Sequence, residues 1–214
     1  MDLEQAAANF RRGMTHADNL VAVHRRSGSG GRGRRVEEVS VNRAIVVIVV
    51  ATWQAAVEDM TNAILSLSEP PPGDRFLPAY KVIAGRVQTE VAHFSTPNAQ
   101  NSRKLLQAAG FDPRQHWTWT QRGGRGVGVI VKSPSEAERE IDDWLKVRHA
   151  IAHGDERLPA ARVLQAVRRT KVEPTDPSLR LVDANECIAF FRRIVRLTGT
   201  ALAGHLSVAP PKWN

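Results

Sequence analysis

One arginine and two histidines stand close together in Arg148-His149-Ala150-Ile151-Ala152-His153-Gly154, at the end of a helix-like stretch. A guanidinium keeps its proton at any physiological pH and an imidazole exchanges one near neutrality, so this set suits phosphate binding combined with proton transfer. Projected at about 100° per residue from Ile141, the apolar residues Trp144, Leu145, Val147, Ile151 and Ala152 share one arc, from about 240° to about 40°. Arg148 falls inside that arc at about 340°, His149 on its rim at about 80° and His153 on the polar side at about 120°. A cation on an apolar face is costly to desolvate unless it is paired or lines a polar cleft, so Arg148 needs an explanation that an exposed arginine would not. Arg148 and His153 also point about 140° apart on a straight helix and cannot both face one small substrate from mid-helix. Three arrangements would reconcile them: the last turn unwinds before Gly154, Arg148 reaches round on its long stem, or the two residues serve different halves of a two-fold dimer cleft.

The elements that must position this set read as helices. Residues 2–26 carry Leu3, Ala7, Phe10, Met14, Ala17 and Val21 at steps of three and four, an amphipathic helix that stops at the Gly- and Arg-rich segment 27–35. From Val36 to Leu67 one stripe runs through Val46, Val49, Val50, Trp53, Val57, Met60, Ile64 and Leu67. The β-branched run 45–50 taken alone suits a buried strand, yet its stripe continues unbroken through Trp53 to Val57, which predicts a long central helix ended by Pro70-Pro71-Pro72. Residues 75–93 predict a weaker helix. Thr96 as N-cap and Pro97 as first residue predict a short helix running to Gly110. Residues 112–132 break every period and predict a surface loop. Ser133-Pro134-Ser135-Glu136 opens the helix that carries Arg148 and His153, with Gly154 as its stop. A short helix at 159–169 and a final one capped by Asp183, with Cys187, Phe190, Phe191, Ile194, Leu197, Ala201 and Leu202 on its apolar face, complete an all-α bundle with long loops.

The chain has 214 residues, enough for one domain with its own core. Its parts read as an N-terminal helix with a basic linker over 1–35, a helical domain over 36–208 and a tail over 209–214. Thirty Lys and Arg against 22 Asp and Glu leave a net charge of +8, which suits a polyanionic partner such as RNA or DNA. The longest apolar run, 44–51, is far too short to span a bilayer, and residues 1–26 lack the apolar region of a signal peptide, so no membrane is expected. The single Cys187 excludes an intramolecular disulfide and favours a reducing cytoplasm, with the thiol itself expected as a small buried hydrophobe.

The spacing of Arg148 and His153, set with Leu145-Lys146-Val147 before it and with the earlier block Phe94-Ser95-Thr96-Pro97-Asn98-Ala99-Gln100-Asn101 running on to Leu105-Leu106-Gln107-Ala108-Ala109-Gly110, resembles the HEPN superfamily of helical ribonucleases, and more narrowly its RiboL-PSP-HEPN type. The resemblance spans about residues 40–206. It implies a HEPN-like helical bundle, here with an extra N-terminal helix, and RNA cleavage without a metal or other cofactor. Carried over by position, it makes Arg148 the phosphate-binding group, His153 the acid/base group and His149 a polar auxiliary, with a homodimer bringing two such sets together. Roles as a toxin or in antiphage defence, and an antitoxin or other regulatory partner, come from the same resemblance, as does the alternative of a non-catalytic module that binds RNA or a partner protein. Glu58 and Asp59 on the central helix are candidates to orient Arg148 or a histidine; their plain reading is exposed helix charge.

The plain reading of Arg148 is a structural ion pair, and that of His149 and His153 is a helix C-terminus populated by groups that complement its dipole. The two histidines also stand at i and i+4, a spacing zinc ligands use, but the glutamate of H-E-x-x-H and a third ligand are missing. His16, His24, His93, His116 and His205 are scattered, and no nucleophile elbow supports a serine or cysteine hydrolase.

Overall fold

The apolar stripe of the first helix is buried along its whole length. Leu3, Ala7, Phe10, Met14, Ala17 and Val21 all lie inside α1, Leu3–Ser27. The structure, a computed structural model, describes residues 1–27, 36–122, 128–170 and 174–213. The linker residues 28–35 and the loop residues 123–127, both read from sequence as Gly- and Arg-rich loops, lie outside them.

The central helix α2, Val36–Leu67, takes in the whole β-branched run. Helix propensity separates these residues from good formers by less than about 1 kcal/mol each, so burial of the stripe outweighs it. Val46, Val49, Val50, Trp53, Val57, Met60 and Ile64 are buried, whereas Leu67 is exposed because it lies past the last packed turn and before the prolines. Helix 37–67 is long and apolar enough to cross a membrane by composition, with mean hydropathy 1.5, although its longest unbroken apolar run is short. Here it packs against α1 on one side and, among the described helices, against α3, α4, α5 and α7 elsewhere.

Helix α3, Leu77–Ala92, buries only Ala84 and Val87, against Leu65 and Tyr80, consistent with its weak pattern. Helix α4, Ala99–Ala108, starts two residues later than expected. Asn98, not Thr96, is the cap: its backbone is extended and its side-chain oxygen accepts from the Asn101 N–H at 2.6 Å. Gly110 closes α4 with φ +102°, and the Phe111 N–H reaches back to the Leu106 carbonyl at 3.0 Å.

Within 112–132, expected as a surface loop, residues 114–122 and 129–132 contain regular structure. After a 3-10 turn at Arg114–His116, strands β1, Trp119–Arg122, and β2, Val129–Lys132, pair antiparallel with Trp119 opposite Lys132. Aromatic, Thr and Val side chains favour that pairing, and each strand is too short to show a period by itself. Ahead of β1, Trp117 is fully buried and donates from Nε1 to the Thr198 hydroxyl at 2.9 Å.

Helix α5, Pro134–His153, opens on a complete capping box. Ser133 accepts from the Glu136 N–H, and the Glu136 carboxylate accepts from the Ser133 N–H at 2.8 Å. Its buried face is Ala137, Ile141, Trp144, Leu145, Val147 and Ala150; Ala152, expected inside, is exposed where the helix clears the core. The helix expected at 159–169 is a single turn, α6, Gln165–Arg168. Helix α7, Leu181–His205, begins two residues before Asp183, which acts from inside the first turn. Its buried carboxylate accepts from the Arg180 N–H at 2.8 Å and from the Gln165 N–H at 2.6 Å, tying α6 to α7.

The tail returns to the core. Trp213 is 2% exposed, meets Phe10 edge-on at 6.4 Å and covers Gly199 of α7 so closely that a Cβ there would lie 2.2 Å from the indole. Arg11 of α1 donates to the Lys212 carbonyl. One core therefore joins α1, α2, α4, α5, α6, α7 and Trp213, while the buried residues of α3 belong to a second, small cluster with Leu65, within an all-α bundle that carries one small pair of strands. Gly199→Ala is expected to displace Trp213 and destabilise the protein by about 1–3 kcal/mol, the usual cost of overpacking. A lower Tm with a red-shifted tryptophan emission checks this; an unchanged melt would mean that Trp213 does not pack there in solution.

Candidate functional site

Helix α5 stays regular to its end. Gly154 adopts φ +73°, its N–H bonds the Ile151 carbonyl at 3.2 Å, and the Asp155 N–H bonds the Ala150 carbonyl at 2.9 Å. Such a left-handed glycine closure satisfies the last carbonyls without unwinding the turn. Of the three arrangements that could bring Arg148 and His153 together, the unwound turn is therefore excluded.

What the helix does bring together is the histidine pair. His149 is half-buried, His153 is exposed, and their rings meet edge-on with centroids 6.2 Å apart, as residues at i and i+4 do. Burial pushes the His149 imidazole below its ordinary pKa, and the charges of Arg148 and His153 push in the same direction. Arg148 is half-buried. Among the described residues it forms no ion pair, and its Nε is enclosed without a hydrogen-bond partner. The ion-pair reading of Arg148 thus has no counterpart among the described residues. Neither imidazole has a hydrogen-bond partner among the described residues either, so no carboxylate orients them.

Glu58 and Asp59 do not supply that carboxylate. Asp59 turns to α1, where it accepts from Asn9 Nδ2 at 2.8 Å beside a small groove with Gly13 and His16. Glu58 accepts from Gln54 Nε2 at 3.0 Å, and the same amide donates to the Phe94 carbonyl at 2.7 Å. Burial raises the pKa of both carboxyls, opposed in each case by the amide hydrogen bond. Both are more engaged than exposed helix charges, but in holding α1 and the 94–97 loop.

That loop belongs to the first sequence block, and the structure explains its residues. Trp53 Nε1 donates to the Pro97 carbonyl at 3.0 Å, Asn101 Nδ2 to the Thr96 carbonyl at 3.1 Å, and the Ala99 N–H to Asp142 of α5 at 2.9 Å. The block is a bracket between α2 and α5. The sequence carries no signal for Asp142, since one carboxylate among several on a polar face does not show that it will hold the neighbouring helix start. Nor does it single out Arg43 of α2, whose Nε is enclosed and unpartnered like that of Arg148.

Cys187 is fully buried, and burial raises its thiol pKa well above the ordinary value, as suits a small core hydrophobe. Among the described residues no three His, Cys, Asp or Glu side chains are grouped to hold a metal ion. A larger basic groove lies apart, between α1 and α7, lined by Arg25, Arg192, Arg193 and Arg196. Its arginines come from two helices far apart in sequence, so no local pattern announces it.

No family model matches the chain, no curated protein matches it, and no solved structure matches it.

The depressed His149 makes a pH prediction with a definite sign. Between its lowered folded value and the ordinary 6.5 the unfolded chain binds more protons, so stability rises as pH rises through that window. Thermal melts across the window should show that slope, and His149→Ala should flatten it. By NMR, His149 should titrate below 6.5 and move towards it in both Arg148→Ala and His153→Ala; a His149 resonance unmoved by either change would show that the three groups are not electrostatically coupled.

Proposed function

We propose that the protein is a cytoplasmic, metal-independent endoribonuclease whose site is built from Arg148, His153 and His149 across a two-fold dimer. The observation that carries this reading is Arg148, half-buried with its Nε enclosed and no anionic partner among the described residues, next to two unpartnered imidazoles at an exposed helix end. Leaving such a charge unpaired costs a structural role most of its benefit, whereas a scissile phosphate would supply the missing anion. The residue pattern that resembles HEPN ribonucleases supports the same assignment, and with it a role as a toxin or antiphage effector held by a regulatory partner.

The chemistry follows from the side chains. The RNA 2′-oxygen attacks the adjacent phosphorus and the bond from phosphorus to the 5′-oxygen breaks. One imidazole takes the 2′-hydroxyl proton, the other, in its protonated form, gives one to the leaving 5′-oxygen, and the products are a 2′,3′-cyclic phosphate and a 5′-hydroxyl. Arg148 offsets the charge that grows on the phosphorane oxygens. Of the two arrangements left by the regular end of α5, this reading takes the dimer, in which the Arg148 of one protomer works with the His153 of its partner.

Cleavage of single-stranded RNA in EDTA tests the proposal. Arg148→Ala and His153→Ala should each lower the rate by about 10²-fold or more. In a dimer mixed from the two variants, one of the two sites regains both residues, so about half of the wild-type activity per dimer should return. Undiminished cleavage by the double variant sinks the site. Loss in both variants without recovery in the mixed dimer sinks the composite arrangement, and binding without cleavage by the unaltered protein identifies the non-catalytic, RNA- or partner-binding module instead.

A further inference from the structure

The groove between α1 and α7 has a volume of about 780 Å³ and is walled by two helices. Arg25 reaches it from α1 and Arg192, Arg193 and Arg196 from α7, facing one carboxylate, Asp18. Asp18 is taken up by Arg192 at 2.5 Å. Arg193 lies over the Trp119 ring, 5.3 Å from its centroid, which fixes the guanidinium plane without neutralising it. Arg25 and Arg196 are exposed and have no carboxylate partner among the described residues. Beneath the charges the floor is apolar, with Val21 and Ile188 buried and Ala22 and Ala189 exposed.

Like charges gathered on two facing helices repel, and solvent only weakens that repulsion. A row of phosphates would remove it. Arginine binds phosphate oxygens in bidentate fashion, and small apolar residues below leave room for sugars and base faces. The concavity narrows the choice further. A flexible single strand can follow a slot between two helices, whereas a duplex or a bilayer presents a convex or flat anionic surface to it.

We propose that the α1–α7 groove binds the phosphodiester backbone of a single-stranded polynucleotide. This assignment does not depend on cleavage at α5, because it uses other residues and a binding readout.

The test compares the full chain with the double variant R25E/R196E and with a control double variant, K81E/R86E, on exposed α3 positions, which changes net charge equally. Fluorescence anisotropy with a labelled 2′-O-methyl RNA, which cannot be cut by 2′-hydroxyl attack, and with single-stranded DNA of the same sequence gives the affinities. The groove variant should bind at least about tenfold more weakly, and its slope of log affinity against log salt should shrink by roughly 1.4, two contacts at about 0.7 each. Loss on either strand supports the groove, and the larger loss names its natural ligand as RNA or DNA. Circular dichroism matching the unaltered protein shows that R25E/R196E folds; an unfolded variant is replaced by R25Q/R196Q, read on the same two scales. Unchanged binding, an equal loss in the control, or a larger loss on duplex DNA or phosphatidylserine vesicles overturns the proposal.

Discussion

The Trp53 indole joins α2 to α7, to the segment ahead of β1 and to the loop before α4. It is fully buried at the middle of α2, meets Trp117 at 6.4 Å and Phe191 at 5.8 Å, and donates its one N–H to the Pro97 carbonyl. Burying a side chain of this size contributes roughly 1.5–3 kcal/mol, and leaving its N–H unpaired would cost about 1–3 kcal/mol of that gain. The carbonyl that prevents this loss comes from the loop before α4, and the start of α4 is held by Asp142 of α5. Alongside its direct packing on α2, α5, which carries Arg148 and His153, is thus also tied to Trp53 through the start of α4.

That dependence explains a polar loop in a protein held mainly by apolar packing. Residues 94–101 satisfy their backbone through Trp53, Gln54, Asn101 and Asp142, so the loop is a fixed spacer between α2 and α5. The same economy recurs at Asp183, whose one buried carboxylate serves the starts of both α6 and α7. The enclosed Nε of Arg148 lacks such a partner, as do a few other buried polar atoms among the described residues, Arg43 Nε and Trp144 Nε1 among them. Buried polar atoms without partners are uncommon in folded proteins and point to a ligand, a second chain or stored strain.

The positive charge is spread over more than one place. At the end of α5 it is the one guanidinium of Arg148 beside two imidazoles, whereas the groove between α1 and α7 gathers several arginines, three of them from α7 on a face that is otherwise a helix interface. The N-terminal helix and the tail take part in this organisation. Arg11 holds Lys212, Phe10 meets Trp213, and Trp213 fills the space that Gly199 leaves open. Residues that read from sequence as an extra N-terminal helix and a tail thus share the core with the rest of the chain.

By itself the sequence determined the helices whose stripes are long: α1, α2, α5 and α7 follow from periods of three and four over many turns, with Ser133 and Gly154 marking both ends of α5. It also placed Arg148, His149 and His153 on one helix end and predicted that Arg148 and His153 diverge, because angular position on a regular helix is a local property. Only the tertiary structure decided that α5 ends without unwinding, that Asp59 serves α1 and Glu58 the 94–97 loop, and that a hairpin forms between residues 119 and 132. Those outcomes depend on partners distant in sequence: a carboxylate has no preferred neighbour until packing supplies one, and a four-residue strand exists only when another lies beside it. The basic groove is of the same kind, since Arg25 and Arg196 are 171 positions apart and only the packing of α1 on α7 sets them across one slot.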